Sequence, residues 1–171
     1  MHLKQGTAPQ KHETRDNMTR ILIIAALLIW MPATHADISV EIAAGIHHTE
    51  DATLLLLNLT RPADLLFGQR SYWQFNAGAW SGEHEASVVG VARGLQWDRE
   101  NLHVRLSTGV SLVSETSEML STAFQFYEQA MVRKQFGNHG IALSYRHWSN
   151  AYIKRPNYGM DFLGVQMDLN W

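Results

Sequence analysis

Strict alternation of apolar and polar residues is the feature that most constrains this chain. It is clearest between residues 102 and 112, where apolar side chains recur at every second position except Thr108. The apolar residues of this face are Leu102, Val104, Leu106, Val110 and Leu112. A period of two places successive side chains on opposite faces of a β-strand. The segment is therefore predicted to be a strand with one apolar and one polar face.

Further strand-like runs cover most of the chain after residue 37. They span residues 38–48, 52–60, 71–80, 87–97, 121–136, 141–149 and 161–171. Turn-forming segments such as 98–101 and 137–140 separate them. Together with 102–112, these runs predict an all-β fold of eight antiparallel strands.

The same alternation would suit a soluble sandwich or a membrane barrel. A sandwich buries its apolar face, whereas a membrane barrel turns that face to lipid and keeps the polar face in the lumen. Strands of about 9–11 residues suit a tilted bilayer crossing, and aromatic residues near strand ends suit interfacial girdles. These aromatic residues are Tyr72, Trp73, Trp97 and Trp171. We therefore predict an eight-stranded antiparallel outer-membrane β-barrel. Two charged residues do not fit the pattern: Arg93 falls on the outward face and Glu128 interrupts the run at 121–136. We expect a bulge or an early strand end to account for each.

The first 36 residues are predicted to be a processed leader. Residues 1–17 are polar and precede a second methionine, so we interpret them as the product of a start codon assigned too early. From Met18, a short basic region, an apolar run and the small-x-small ending before residue 37 are typical of a signal peptide. The predicted organisation is thus 1–17 as the extra start, 18–36 as the signal peptide and 37–171 as the barrel domain.

Composition excludes several classes of function. The chain has no cysteine, which rules out disulfides, a thiol nucleophile and a cysteine-based zinc site. A formal charge of −2 gives no basic surface for nucleic acid. His47 and His48 would face opposite ways on a strand, so a shared metal ion is not expected. We predict no cofactor, no metal and no nucleic-acid partner.

Two polar side chains interrupt the apolar outer face of the strand at 141–149. His147 and Ser149 share that face, so both are expected to point outward. Residues two apart on a strand are separated by roughly 6.6 Å, which lets an imidazole and a hydroxyl lean into hydrogen-bond reach. Asp161 has the same outward parity on the next strand, and a hairpin with its loop at 150–160 would set it across from His147.

This set supplies the groups of a serine esterase. Ser149 can act as nucleophile, His147 as general base and Asp161 as the acid that holds the imidazole tautomer. Asn150 and Asn157 are candidate oxyanion donors. Polar groups on a lipid-facing wall are unfavourable except near the interface. We therefore expect the site at the extracellular rim, facing the leaflet that contains lipopolysaccharide.

The residues around Ser149 also resemble a known family, lipid A 3-O-deacylase (PagL). The segment that carries the resemblance is His147-Trp148-Ser149-Asn150-Ala151, with Lys154, Pro156-Asn157, Gly159 and Asp161 after it. The resemblance implies an outer-membrane barrel that hydrolyses the ester-linked 3-hydroxyacyl chain at position 3 of lipid A with a triad of Ser149, His147 and Asp161. Two positions depart from the family member compared: it has glutamate in place of Asp161 and glycine in place of Tyr152.

Two other functions remain open on the sequence. One is a non-catalytic structural or adhesive barrel, in which His147 and Ser149 only satisfy interfacial hydrogen bonds and Lys154 and Arg155 bind lipopolysaccharide phosphates. The other is a lipid A acyltransferase, which would pass the acyl chain to a different acceptor. A serine-type deacylase with lipopolysaccharide as substrate and outer-membrane lipid around it is the preferred hypothesis. The sequence leaves open the acyl length and whether the barrel forms a homodimer.

Overall fold

Eight antiparallel strands close into a single ring in the computed structural model, which describes residues 36–49, 51–83 and 85–169. The strands are β1 (Asp37–Ile46), β2 (Thr53–Leu66), β3 (Gln69–Ser81), β4 (Ala86–Arg99), β5 (Leu102–Val113), β6 (Phe124–Phe136), β7 (His139–Ser149) and β8 (Met160–Asp168). Each strand pairs with its neighbours in the chain, and β1 also pairs with β8 to close the ring. The predicted eight-stranded antiparallel barrel is confirmed.

Strand bounds differ from the prediction mainly at strand ends. β2 continues to Leu66 instead of residue 60, and β6 begins at Phe124 instead of residue 121. Within the described part of the chain, no helix is long and apolar enough to cross a membrane. Residues 1–35 and Trp171 lie outside the described residues, so the early start, the signal peptide and the terminal aromatic stay predictions.

The two ends of the barrel differ in their connections. Two-residue turns join β2 to β3, β4 to β5 and β6 to β7 at one end. Longer connections, at 47–52, 82–85, 114–123 and 150–159, join the remaining strand pairs at the other end, which we call the loop end. Because the number of strands is even, β1 begins and β8 finishes at the end opposite to the loops.

Side chains alternate between the two faces of the barrel wall as predicted. On β5, Leu106 and Leu112 are exposed, whereas Ser107 and Ser111 are buried. On β8 the exposed residues are Leu163, Val165 and Met167. The exposed stripes are mainly apolar and the buried stripes carry many polar residues, which is the pattern of a barrel with an apolar outer surface.

One of the predicted girdle residues faces the other way. Trp73 and Trp97 are 44% and 38% exposed, but Tyr72 is only 4% exposed and lies inside the barrel. There the Arg105 guanidinium lies 5.1 Å from the centre of the Tyr72 ring. The prediction for Tyr72 was wrong because adjacent residues of a strand face opposite sides, and Trp73 occupies the outward position.

Arg93 is accommodated on the outer wall by its neighbours. Its guanidinium donates to the carbonyl oxygen of Asp64 at 2.9 Å and lies 4.9 Å from the centre of the Trp73 ring. The register of β2 against β3 shifts between Ala63 and Leu66, next to that carbonyl. The expected irregularity therefore exists, but on β2 and not on the strand that carries Arg93.

A buried ion pair occupies the interior of the barrel. The Arg146 guanidinium on β7 donates to both carboxylate oxygens of Glu41 on β1, with the shortest N–O distance 2.7 Å. Ser144 donates to Glu41 at 2.7 Å, and Asn58 accepts from Arg146 at 2.8 Å. Both charged side chains are almost fully buried. These hydrogen bonds offset the cost of removing two charges from water.

Toward the loop end, the interior changes from polar to aromatic. Trp148 packs against Trp80, Phe162 and Tyr127, with ring centres 5.6–5.9 Å apart. All four side chains are buried. The polar lumen expected from the sequence is therefore found only in part, because large aromatic rings fill the interior below the loops.

We expect Glu41→Gln to lower the free energy of unfolding by about 3–5 kcal/mol, because removal of one partner leaves the Arg146 charge buried without its anion. Urea unfolding of the refolded barrel in detergent micelles, followed by gel mobility, measures the loss. Glu115→Gln removes the same charge from an exposed loop and serves as the control. Equal losses in the two variants would contradict a stabilising role for the pair.

Candidate active site

Strand pairing brings two of the three predicted site residues together. His147 on β7 is the direct register partner of Asp161 on β8. Arg146 and Trp148, which flank His147 in the chain, are both fully buried inside the barrel. Since neighbouring residues of a strand face opposite sides, His147 and Ser149 occupy outward positions. The register and the parity expected from the sequence are those of the structure.

The imidazole and the carboxylate form a hydrogen bond on this wall. His147 Nδ1 lies 2.9 Å from Asp161 Oδ1, and both side chains are partly exposed. A carboxylate can only accept, so this contact places the proton of the neutral ring on Nδ1 and leaves the lone pair on Nε2. Among the described residues, no hydrogen bond joins the Ser149 hydroxyl to His147. Such bonds commonly shorten only when substrate binds.

Two further side chains hold Asp161, and the sequence did not single out either. The Tyr145 hydroxyl donates to Asp161 Oδ1 at 2.5 Å. The Thr49 hydroxyl donates to the main-chain carbonyl oxygen of Asp161 at 2.9 Å, from the short connection after β1. Tyr145 shares the outward parity of His147, which was a usable signal. Thr49 approaches only because β1 and β8 close the barrel, so no local pattern could have revealed it.

Gly159 packs directly against the imidazole. Its φ is +77°, a left-handed conformation that side-chain-bearing residues rarely adopt. A Cβ at this position would also lie 2.8 Å from His147 Cε1. Glycine is thus required here for two reasons, backbone conformation and room for the ring.

A second carboxylate flanks His147 on the opposite side. Glu128 on β6 is the other register partner of His147, and it is exposed on the outer wall. The pairing of β6 with both neighbours continues through Glu128 without a shift. The expected bulge or early strand end at Glu128 is therefore wrong. The imidazole nevertheless makes its hydrogen bond with Asp161 and not with Glu128.

Asn150 and Asn157, the two candidate oxyanion donors, make different hydrogen bonds. Asn150 is fully buried, and its side-chain amide donates to Ser121 Oγ at 2.9 Å and to the Lys154 carbonyl at 2.8 Å. Its backbone N–H donates to Asn157 Oδ1 at 3.1 Å. Asn150 therefore anchors the loop. Because Asn157 accepts through Oδ1, its Nδ2 remains as a side-chain donor.

The β7–β8 loop has a left-handed turn at its start. Ala151 and Tyr152 have φ values of +50° and +60°. Tyr152 stands where the compared family member has glycine, and a left-handed conformation costs a tyrosine about 1 kcal/mol more than a glycine. Tyr152 thus carries local backbone strain at the start of the loop.

A metal centre finds no support in the described part of the chain, where no group of three or more histidine, aspartate or glutamate side chains is placed to hold an ion.

Comparison with known proteins matches most of the barrel to one family. The model of lipid A 3-O-deacylase (PagL) matches residues 57–170. The chain belongs to this family. All five candidate site residues lie within the matched range, together with Tyr145 and Gly159.

Individual PagL relatives agree with this assignment. The lipid A deacylase PagL of Bordetella bronchiseptica (strain ATCC BAA-588 / NCTC 13252 / RB50) is 32% identical over 99 residues, which cover 54% of each protein. The chain thus matches about half the length of that curated relative. A crystal structure of the outer membrane enzyme PagL superposes with a TM-score of 0.61 at 17% identity, over 79% of this chain and 99% of that one. At this identity the likeness establishes a shared fold.

Proposed function

We propose that this protein is an outer-membrane lipid A 3-O-deacylase that uses Ser149, His147 and Asp161 to hydrolyse the ester-linked 3-hydroxyacyl chain at position 3 of lipid A. The observation that carries the proposal is the 2.9 Å contact between His147 Nδ1 and Asp161 Oδ1, two residues from an outward serine. It occurs in a chain of the PagL family.

The contact supports the following path for the proton. With Nδ1 bound to Asp161, the lone pair of His147 Nε2 accepts the proton of the Ser149 hydroxyl as Oγ attacks the ester carbonyl. The resulting imidazolium then gives that proton to the sugar oxygen that leaves. The acyl chain stays on Ser149 as an ester, and a water molecule activated by His147 releases it. Asp161 remains ionised and stabilises the imidazolium throughout.

The negative charge on the carbonyl oxygen needs a donor near the loop. Asn157 is our candidate, because its Oδ1 is occupied by the Asn150 backbone N–H and its orientation is therefore set before substrate arrives. A donor positioned in advance stabilises the oxyanion without reorganisation, which is commonly worth 10²–10³ in rate.

The position of the site suits a substrate embedded in a membrane. His147, Ser149 and Asp161 lie at or near the loop end of their strands, on a wall where most other outward residues of β7 and β8 are apolar. With the chain ends in the periplasm, the loop end faces the cell exterior and the site meets the outer leaflet. The acyl chains of lipid A can then lie along the wall while their ester linkages reach the rim.

We expect cells that express the protein to lose one 3-hydroxyacyl chain from lipid A, and cells that express Ser149→Ala to retain it, because the variant lacks the nucleophile. Mass spectrometry of extracted lipid A measures both. A gain of an acyl chain would favour the acyltransferase, and an unaltered lipid A with correctly folded wild-type barrel would favour a structural or adhesive role.

We expect Asp161→Asn to lower kcat by about 10²–10⁴, because an amide neither fixes the ring tautomer nor stabilises the imidazolium. Glu128→Gln is the matched control: it removes the same charge from the other register partner of His147 and should keep most of the activity. Release of 3-hydroxy fatty acid from lipopolysaccharide in micelles gives both rates. A larger loss of kcat in Glu128→Gln than in Asp161→Asn would identify Glu128 as the acid.

We expect Gly159→Ala to lower kcat by about tenfold or more, because the added methyl group displaces the imidazole from its attack geometry. Gly137→Ala tests the backbone term alone, since Gly137 also has a positive φ, +59°, but no neighbour within 4 Å of an added Cβ. In urea both variants should lose the stability that the left-handed backbone conformation costs an alanine, and Gly159→Ala should lose more because its Cβ also meets His147. Similar losses of kcat would show that strain, and not contact with His147, explains the effect.

A further inference from the structure

We propose that Tyr145 is a positioning residue for the acid of the triad: its hydroxyl fixes the rotamer of Asp161 so that Oδ1 stays on His147 Nδ1. The inference rests on the proposed function and adds a fourth side chain to the site. Tyr145, His147 and Ser149 then form one outward row along β7, in which each second residue serves the same reaction.

The geometry of Asp161 Oδ1 carries the proposal. This single oxygen accepts from the Tyr145 hydroxyl at 2.5 Å and lies 2.9 Å from His147 Nδ1. Tyr145 itself lies diagonally across the strand pair, since its direct register partner on β8 is Leu163. A tyrosine ring is long enough to span such a diagonal. The two donors therefore approach the oxygen from consecutive outward positions of β7.

Asp161 has few other restraints on its side chain. Thr49 holds only its main-chain carbonyl, and the described hydrogen bonds of its carboxylate all go to Tyr145 and His147. The carboxylate is also partly exposed, so packing does not lock it. A carboxylate with one partner can rotate away, whereas two donors on the same oxygen restrict it to one orientation.

Apolar packing does not account for the hydroxyl of Tyr145. Tyr145 points outward and is 38% exposed, among apolar neighbours such as Leu143 and Leu163. A phenylalanine would give the same apolar contacts without placing a hydroxyl near lipid, where an unpaired polar group is costly. The bond to Asp161 gives this hydroxyl its hydrogen-bond partner on the outer wall.

Tyr145→Phe tests the inference, because it removes only the hydroxyl. Steady-state release of 3-hydroxy fatty acid from lipopolysaccharide in micelles should show kcat lowered by about tenfold, the usual scale for losing a hydrogen bond to a charged group, with KM unchanged. Tyr158→Phe removes the same atom from an exposed loop residue and should keep the wild-type kcat. An unchanged kcat in Tyr145→Phe, or a rise in KM alone, would overturn the inference.

A double-mutant cycle separates action through Asp161 from any direct effect. In an Asp161→Asn background, Tyr145→Phe should cause no further loss of kcat, because the group that it positions has already been altered. A second, independent tenfold loss would overturn the inference. Failure of the proposed function looks different: the folded wild-type barrel would then release no 3-hydroxyacyl chain from lipid A, or Ser149→Ala would release it as fast as the wild type, whatever the result at Tyr145.

Discussion

The buried ion pair between Arg146 and Glu41 is the interaction on which the site geometry depends. Arg146 reaches across the interior from β7 to β1, where Glu41 accepts through both oxygens. A shift of β7 by one residue would turn Arg146 to the outer wall and His147 to the interior. It would also expose Trp148 and leave Glu41 buried without a partner. The cost of these changes maintains one parity, and that parity keeps His147 outward.

The side chains of the proposed site lie at the rim of the barrel wall, where polar groups are tolerated best. A charged side chain is most costly at the bilayer midplane and far less so near the interface. The site lies where β7 ends and β8 begins, next to a loop that Asn150 anchors from the inside. The side chains that stabilise the barrel and those of the proposed site thus lie in different places. The interior holds the buried charges and aromatic rings, and the rim holds the side chains that we propose to react.

Agreement between expectation and structure was best where a short-range rule applied. Alternation placed His147 and Ser149 outward, and hairpin pairing placed Asp161 across from His147. Local reading failed at Tyr72, which was assigned to the aromatic girdle by its nearness to a strand end and not by its parity. It failed again at Glu128, whose strand continues without a bulge and whose neighbour is His147.

Period, parity and turn residues are properties of neighbours in the chain, so the order of strands and the outward row of β7 could be read from the sequence. Contacts that form only when the barrel closes could not be read from the sequence. The Thr49 bond to Asp161 joins residues 112 positions apart, and the fit of Gly159 against His147 depends on where the loop returns. The same holds for the Tyr145 hydroxyl on Asp161. Distances of this kind are set by strand stagger and barrel closure, which only the tertiary structure decides.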